Sequence, residues 1–418
     1  MPAAAPVLRL SEHGAYRRFW LPATVSGFGT AVTTLAVRVL VVERLHGGAT
    51  QVGILNAARW VPYLLVGVFV GVLVDRSRRR PLLVAADLGR AALLLAVPTL
   101  SAADLLTLPV LALLMAGFGL LSPNGDAAAQ AIVPRLVPAP LLAGANARLD
   151  QSDAVAQTSG PALAGGIVTF VGAPLAVLVD AVSYLASGLL LRRLPVEEPP
   201  RHRPVADRVG TDATEGLRWG YGHPQLRPFA LVTHGWFLCS AATGAIVVPY
   251  ALESLRLSTF GLGVALAAAG LGGLAGSLAA VRLGWRSGAA RVVVVCQALA
   301  GVAWLVAALA SASGLGWVVF GAGQLVLGLG MGAENANSMG YRQAVTPDRL
   351  QGRMNATMRS LNRAMIVVGA PVGGALGDLL GYRVVLRGAA VGFLVLALGL
   401  GLSRFRDARL DERAVAPG

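Results

Sequence analysis

The chain contains no lysine, and its acids are few: 21 Asp and Glu stand against 35 arginines, for a formal net charge of +14. Charged residues of both signs fill only 13% of 418 positions, while 55% are hydrophobic. A soluble domain carries about 25% charged residues, so this chain lacks the polar surface needed to dissolve as a globule. Its only cysteines, Cys239 and Cys296, sit inside apolar segments without metal-ligand spacing, which excludes a disulfide scaffold and assigns them no role. No phosphate-binding glycine loop and no nucleophile–base set occurs, so an enzyme or an ATP-driven machine is not expected, nor is a cofactor or metal. Strong positive charge often marks nucleic-acid binders, but here the arginines fall in the links between apolar runs. The expected partner is therefore a lipid bilayer and not nucleic acid.

Those runs number twelve, each of roughly 20 residues or more, the length at which a helix crosses about 30 Å of hydrocarbon. They lie near 18–43, 50–74, 81–101, 107–133, 139–172, 174–193, 227–252, 258–281, 290–312, 315–341, 350–380 and 383–404. The fifth and eleventh exceed the core thickness, so their polar first turns are expected outside it. Arg9, Arg17, Arg18, Arg76 to Arg80, Arg135, Arg192 to Arg227, Arg282 to Arg291, Arg342 to Arg353 and Arg404 to Arg413 all fall on one side. The opposite links hold little beyond Arg44, Arg256, Arg383 and Arg387. This asymmetry predicts a multi-pass protein of the inner or plasma membrane with both termini in the cytoplasm. Arg17 and Arg18 lead directly into the first span, so no cleavable signal is expected.

A proline- and arginine-rich linker at 194–226 separates two six-span halves, 1–193 and 227–404, and a tail follows at 405–418. Within the linker, Thr214 to Trp219 reads as an amphipathic surface helix. The halves repeat at an offset of about 209 residues: Leu45 to Gly53 resembles Leu255 to Gly263, Asn146 parallels Asn355, and Gly160-Pro161 parallels the Pro371 region. Six spans per half keep the repeats parallel.

Gly71, Asp75, Arg76, Arg79 and Arg80 crowd an acid and arginines into the tight link between the second and third spans. This stretch matches the Gly-x-x-x-Asp-Arg-x-x-Arg-Arg loop of the major facilitator superfamily of transporters, and the resemblance covers about residues 16 to 405. Within that superfamily the chain is most similar to twelve-helix exporters related to enterobactin and macrolide efflux proteins. Arg80 to Arg90, Glu215 to Trp219 and Leu350 to Asn355 carry this closer likeness. The resemblance implies an all-α membrane fold of two six-helix bundles and makes Asp75 a latch onto the start of the eleventh helix when the cytoplasmic side is shut. Ser152, Ala156, Gly160, Pro161, Ala164 and Gly165 resemble the small-residue motif of the family's antiporters, with Ala164 where a glycine is usual. Small residues at every fourth position also let helix backbones approach closely.

Ionisable residues inside spans are costly to insert, so each is a functional candidate. Asp126 and Glu334 stand at nearly equal depth in the two halves and are the first choices for proton coupling, followed by Asp153 and His234. Asp87 and Arg90 read as a local ion pair, and Asp180 as a helix-bridging acid. Thr34, Arg38, Arg59, Asn124, Trp236, Asn337, Arg359 and Arg363 are candidates to line a central substrate cavity. The arginines there hold their charge permanently and serve to neutralise acids or to meet an anionic group of the substrate. The acid that the family usually carries on its first helix is missing; Thr30, Thr33 and Thr34 occupy that helix. The expected function is export of a small amphipathic organic molecule, an antibiotic, drug or siderophore, against protons by alternating access, with the chain acting as a monomer. An uptake symporter or facilitator is the alternative, and a non-transporting membrane sensor a third reading that the shortage of soluble sequence disfavours.

Overall fold

A computed structural model describes Leu10 and residues 13–196, 209–312 and 314–407. Its N-terminal six-helix set comprises α1 (Gly14–Glu43), α2 (Ala49–Arg76), α3 (Arg79–Ala102), α4 (Leu108–Ile132), α5 (Leu142–Val171) and α6 (Ala173–Leu191). The linker contributes α7 (Val209–Gly222). The second set comprises α8 (Leu226–Pro249), α9 (Thr259–Ser287), α10 (Ala289–Leu309), α11 (Gly316–Val345), α12 (Asp348–Leu380) and α13 (Tyr382–Leu402). Eleven helices among the described residues are long and apolar enough to cross a membrane. The twelfth is α2, with 28 residues. The chain is therefore a multi-pass membrane protein of twelve spanning helices, and their limits fall within a few residues of the apolar runs.

Two expectations are adjusted. The arginine-rich link between α2 and α3 is shorter than Gly71 to Arg80 suggests, because α2 continues to Arg76 and α3 begins at Arg79. Gly71, Asp75 and Arg76 therefore sit on the last turns of α2, and their side chains lie outside the described residues. The linker helix is longer than Thr214 to Trp219, and it docks on α12: Glu215 pairs with Arg353, and Trp219 packs in one apolar cluster with Met354. The arginines of the link seal helix ends. Arg79 donates to the Ala131 carbonyl at 3.1 Å, and Arg80 to those of Leu194 (3.1 Å) and Arg192 (2.5 Å). These are the last turn of α4 and the exit of α6, where unpaired carbonyls favour cations.

The two sets pack alike. In the first, α1 lies on α5 and α6, α2 on α4, and α3 on α4 and α6; in the second, α8 lies on α12 and α13, α9 on α11, and α10 on α11 and α13. They meet through two crossed pairs, α2 with α12 and α5 with α9. These contacts explain the repeat. A Cβ on Gly53 would stand 2.3 Å from the Ala370 carbonyl oxygen and 2.9 Å from Pro371 Cα, and one on Gly263 would stand 2.6 Å from the Pro161 carbonyl oxygen. The recurring Gly53/Gly263 and Pro161/Pro371 positions are thus the two sides of one backbone-to-backbone contact made twice. Gly165 closes the second copy against Thr259 and Gly263, so the small-residue motif on α5 is the seam between the sets. Ser152 lies apart from it and accepts a hydrogen bond from Trp20 Nε1 at 2.9 Å.

Among the described residues, polar contacts close the seams at the face opposite the arginine-rich one. There Asp378, near the end of α12, accepts hydrogen bonds from the Ala49 and Thr50 amides (2.9 and 2.8 Å) and from Thr50 Oγ1 (2.6 Å). A carboxylate of one set thereby caps the first turn of a helix of the other, whose amides lack partners within their own helix. Thr259, the repeat counterpart of Thr50, donates to Glu43 Oε1 at 2.9 Å. On the arginine-rich side, by contrast, Asp126, Asp150, Asp153 and Arg359 are exposed. Asp378→Asn keeps the shape but removes the charge that favours a helix N-terminus, worth about 0.5–2 kcal/mol. The closed population should fall about two- to thirtyfold. Nitroxide pairs at Ala103 and Ala312, in a Cys239→Ala/Cys296→Ala background, would read it as a longer distance; a distribution equal to the parent's would remove Asp378 from the gate.

Candidate functional site

A cavity of ≈ 140 Å³ lies inside the first set, lined among others by Arg59, Trp60, Tyr63, Phe118 and Tyr184, with Asp126 at its margin. Close packing of α2 on α4 shapes it: a Cβ on Gly119 would stand 1.9 Å from the Arg59 carbonyl oxygen, so only glycine admits this approach. The Arg59 guanidinium then reaches the Phe118 ring, 5.0 Å from its centroid, and donates to Thr34 Oγ1 at 3.3 Å. From the other set, Arg363 on α12 stacks over Tyr63 at 3.3 Å and Trp60 at 5.7 Å.

Beneath this aromatic box runs a buried polar network. Arg90, its side chain 7% exposed, pairs with Asp87 at 3.5 Å on its own helix and with Asp126 at 3.2 Å on α4, and donates to the Ser122 carbonyl at 2.7 Å. Asp87 in turn accepts from Ser187 at 2.7 Å, and Tyr184 hydrogen-bonds Thr30 at 2.9 Å. The Asp87–Arg90 pair expected from the three-residue spacing is present, but Arg90 is also the partner of Asp126. Neither Arg359 nor Arg363, considered for that part, forms this pair. Asp180, wholly buried, accepts from Ser183 at 3.3 Å and does not join an ion pair among the described residues.

The repeat places a counterpart in the second set. Gln297 stands on α10 where Arg90 stands on α3, and it donates to Glu334 on α11 at 3.1 Å. The geometry is conserved while its chemistry changes: one acid faces a guanidinium, the other a neutral amide. Glu334 makes no ion pair among the described residues.

The remaining candidates separate. Asn124 turns back to the Leu120 carbonyl of its own helix (3.0 Å), and Asn337 bridges α11 to the Ala280 carbonyl of α9 (3.1 Å), so both amides serve helix packing. Trp236, half-buried, packs edge-on against Phe393 of α13, 6.1 Å between centroids, at the border of the apolar core. His234 has both ring nitrogens engaged, with Tyr221 of α7 at 2.5 Å and Asn362 of α12 at 2.6 Å, and so clasps the linker helix to the bundle. Asp153 is exposed on α5 beside Gly27 of α1. Sequence reasoning did not single out Trp60, Tyr63, Phe118 and Tyr184; the one available signal was Arg59-Trp60 with Tyr63 one turn on, which puts a cation and an aromatic ring on a shared helix face.

Known proteins place this architecture. The multidrug efflux pump Tap of Mycolicibacterium fortuitum is 27% identical over 414 residues, covering 94% of this chain and 96% of that protein. Tap of Mycobacterium tuberculosis is 26% identical over 436 residues, covering 98% and 97%. Among solved structures, a bacterial homologue of the iron transporter ferroportin in its inward-facing state superposes with a TM-score of 0.72 at 18% identity, covering 94% of this chain and 98% of that one. The nucleoside transporter NupG superposes with a TM-score of 0.73 at 14% identity, covering 93% and 98%. Similarity at that level speaks for the fold alone. The family profile described as "Transmembrane secretion effector" matches residues 4–417, nearly the whole chain. The chain is therefore a member of the transmembrane secretion effector family of major facilitator transporters.

Proposed function

We propose that the protein exports a small amphipathic organic compound from the cytoplasm in exchange for entering protons, by alternating access of the two six-helix sets. The relatives named as multidrug efflux pumps support the direction. The observation that carries the coupling is the Gln297–Glu334 contact. Glu334 can take up a proton without stranding a buried cation, whereas protonating Asp126 would leave Arg90 with Asp87 alone. A coupling acid has to occupy both charge states during the cycle, and Glu334 is the better placed of the two.

With the arginine-rich face assigned to the cytoplasm, the contacts that close the other face are those of a state open inward. Asp378, at the outer end of α12, caps the start of α2. Because α2 and α12 run antiparallel, Asp75 at the inner end of α2 is the reciprocal cap for the start of α12 in the outward-open state. Each aspartate would then hold one gate shut in turn. The testing experiment measures resistance and accumulation across a compound panel in cells with and without the protein, followed by transport in proteoliposomes under an imposed proton gradient. Export that collapses with the gradient supports the reading; accumulation of the compounds inside cells would mean uptake and overturn it.

A further inference from the structure

We propose that Arg59 and Arg363 form an anion-binding subsite walled by Trp60, Tyr63 and Phe118, and that the exported compound is an organic anion whose acidic group sits on a planar ring. The inference rests on the transporter reading and names its substrate class. Arg90 shows what a compensated cation looks like in this bundle, with two carboxylates at 3.5 and 3.2 Å. The two arginines of the subsite have no such partner. Among the described residues the Arg59 side chain bonds only the neutral hydroxyl of Thr34, and Arg363 rests on aromatic faces.

Placing unpaired cations at spanning depth is expensive, and such residues persist where a ligand or water-filled cavity compensates them. The nearby acids Asp126 and Asp180 act on Arg59 only at a distance, without an ion pair among the described residues. Asp87 and Asp126 are committed to Arg90, and Asp180 is wholly buried against Ser183. A guanidinium stacked on a ring keeps its N–H edge free for two parallel hydrogen bonds to a carboxylate or sulfonate. Trp60, Tyr63 and Phe118 offer faces for the ring that bears that group. A cavity of ≈ 140 Å³ accepts this end of a molecule while the remainder lies toward the exposed margin at Asp126. Cationic compounds would meet the repulsion of Arg59, Arg90 and Arg363, while the one carboxylate among the described residues lining the cavity, Asp126, is already paired with Arg90.

Two dyes on one tricyclic scaffold isolate charge from shape: fluorescein, an anion with a free benzoate, and rhodamine 6G, a cation in which that carboxylate is esterified. Fluorescence polarisation with the full-length protein in phosphatidylcholine nanodiscs, which contribute no competing anionic headgroup, should show fluorescein bound more tightly than rhodamine 6G. Arg59→Gln and Arg363→Gln should each weaken fluorescein by about tenfold or more, the loss of a charge-assisted contact, and Arg363→Lys should recover part of it. Monodisperse elution certifies each variant. Should Arg59→Gln fail to fold, Arg363→Gln and its lysine variant still give the answer, since Arg363 lies at the seam of the two sets. Tighter or equal binding of rhodamine 6G, no binding of fluorescein, or fluorescein affinity unchanged in Arg363→Gln would each overturn the proposal. The exporter reading is judged separately, by gradient-driven transport, and its failure leaves these binding results intact.

Discussion

Glu334→Gln is expected to abolish substrate-driven proton movement in proteoliposomes while downhill exchange of substrate continues. The replacement keeps the size and the contact with Gln297 but fixes the neutral state, so the sets can still rock without returning a proton. Asp126→Asn acts differently. It removes the exposed partner of Arg90, which keeps Asp87, so solvent screening limits the loss to about 1 kcal/mol; its main effect should be a modest fall in thermal stability of the purified protein. The repeat supplies a sharper companion. Gln297→Arg would place beside Glu334 the cation that Arg90 presents to Asp126, holding the acid charged through the cycle. This variant should also lose uphill export, from the opposite charge state. Full proton flux in Glu334→Gln would transfer the coupling role to another acid, with Asp153 the next to test, since His234 has both ring nitrogens bound.

Gly53→Val should trap the protein open to the outside. At this site a Cβ would stand 2.3 Å from the backbone oxygen of Ala370, and Pro371 on the partner helix leaves that backbone little room to yield. Overpacking of this kind costs about 1–3 kcal/mol even where side chains can move, and a shift near 2.7 kcal/mol changes a two-state population about a hundredfold. The strain exists only when α2 and α12 are pressed together, so it falls on the outward-closed state and spares the other. Nitroxides at Ala103 and Ala312 should report a single longer distance, and export should cease although the protein reaches the membrane. An unchanged distance with transport retained would show that the seam at Gly53 does not close the outer gate. Gly263, in the repeat-related contact against Pro161, should behave alike when made valine.

The membrane class, the twelve spans and the two-set repeat were all legible in the chain, because each follows from local composition. Hydrocarbon demands long apolar helices, and arginine gathers in the short links of one face. Duplicated seams preserve the same small residues at the same spacing, so the offset linking Gly53 to Gly263 was visible before the contact it serves. The short-range pair Asp87–Arg90 was legible for the same reason, since helix geometry alone brings residues three apart together. What one helix presents to another was not legible. That Arg90 takes Asp126, that Asn124 and Asn337 turn to backbone carbonyls, and that Trp236 faces Phe393 depend on helix rotation about its own axis, which a nearly uniform apolar sequence does not reveal. The cap that Asp378 places on α2, 328 residues from Thr50, and the stacking of Arg363 on Trp60 and Tyr63 arise only when the two sets close on each other. Spacing along the chain set where charge enters the membrane; the tertiary packing decided which charges meet an opposite charge and which do not.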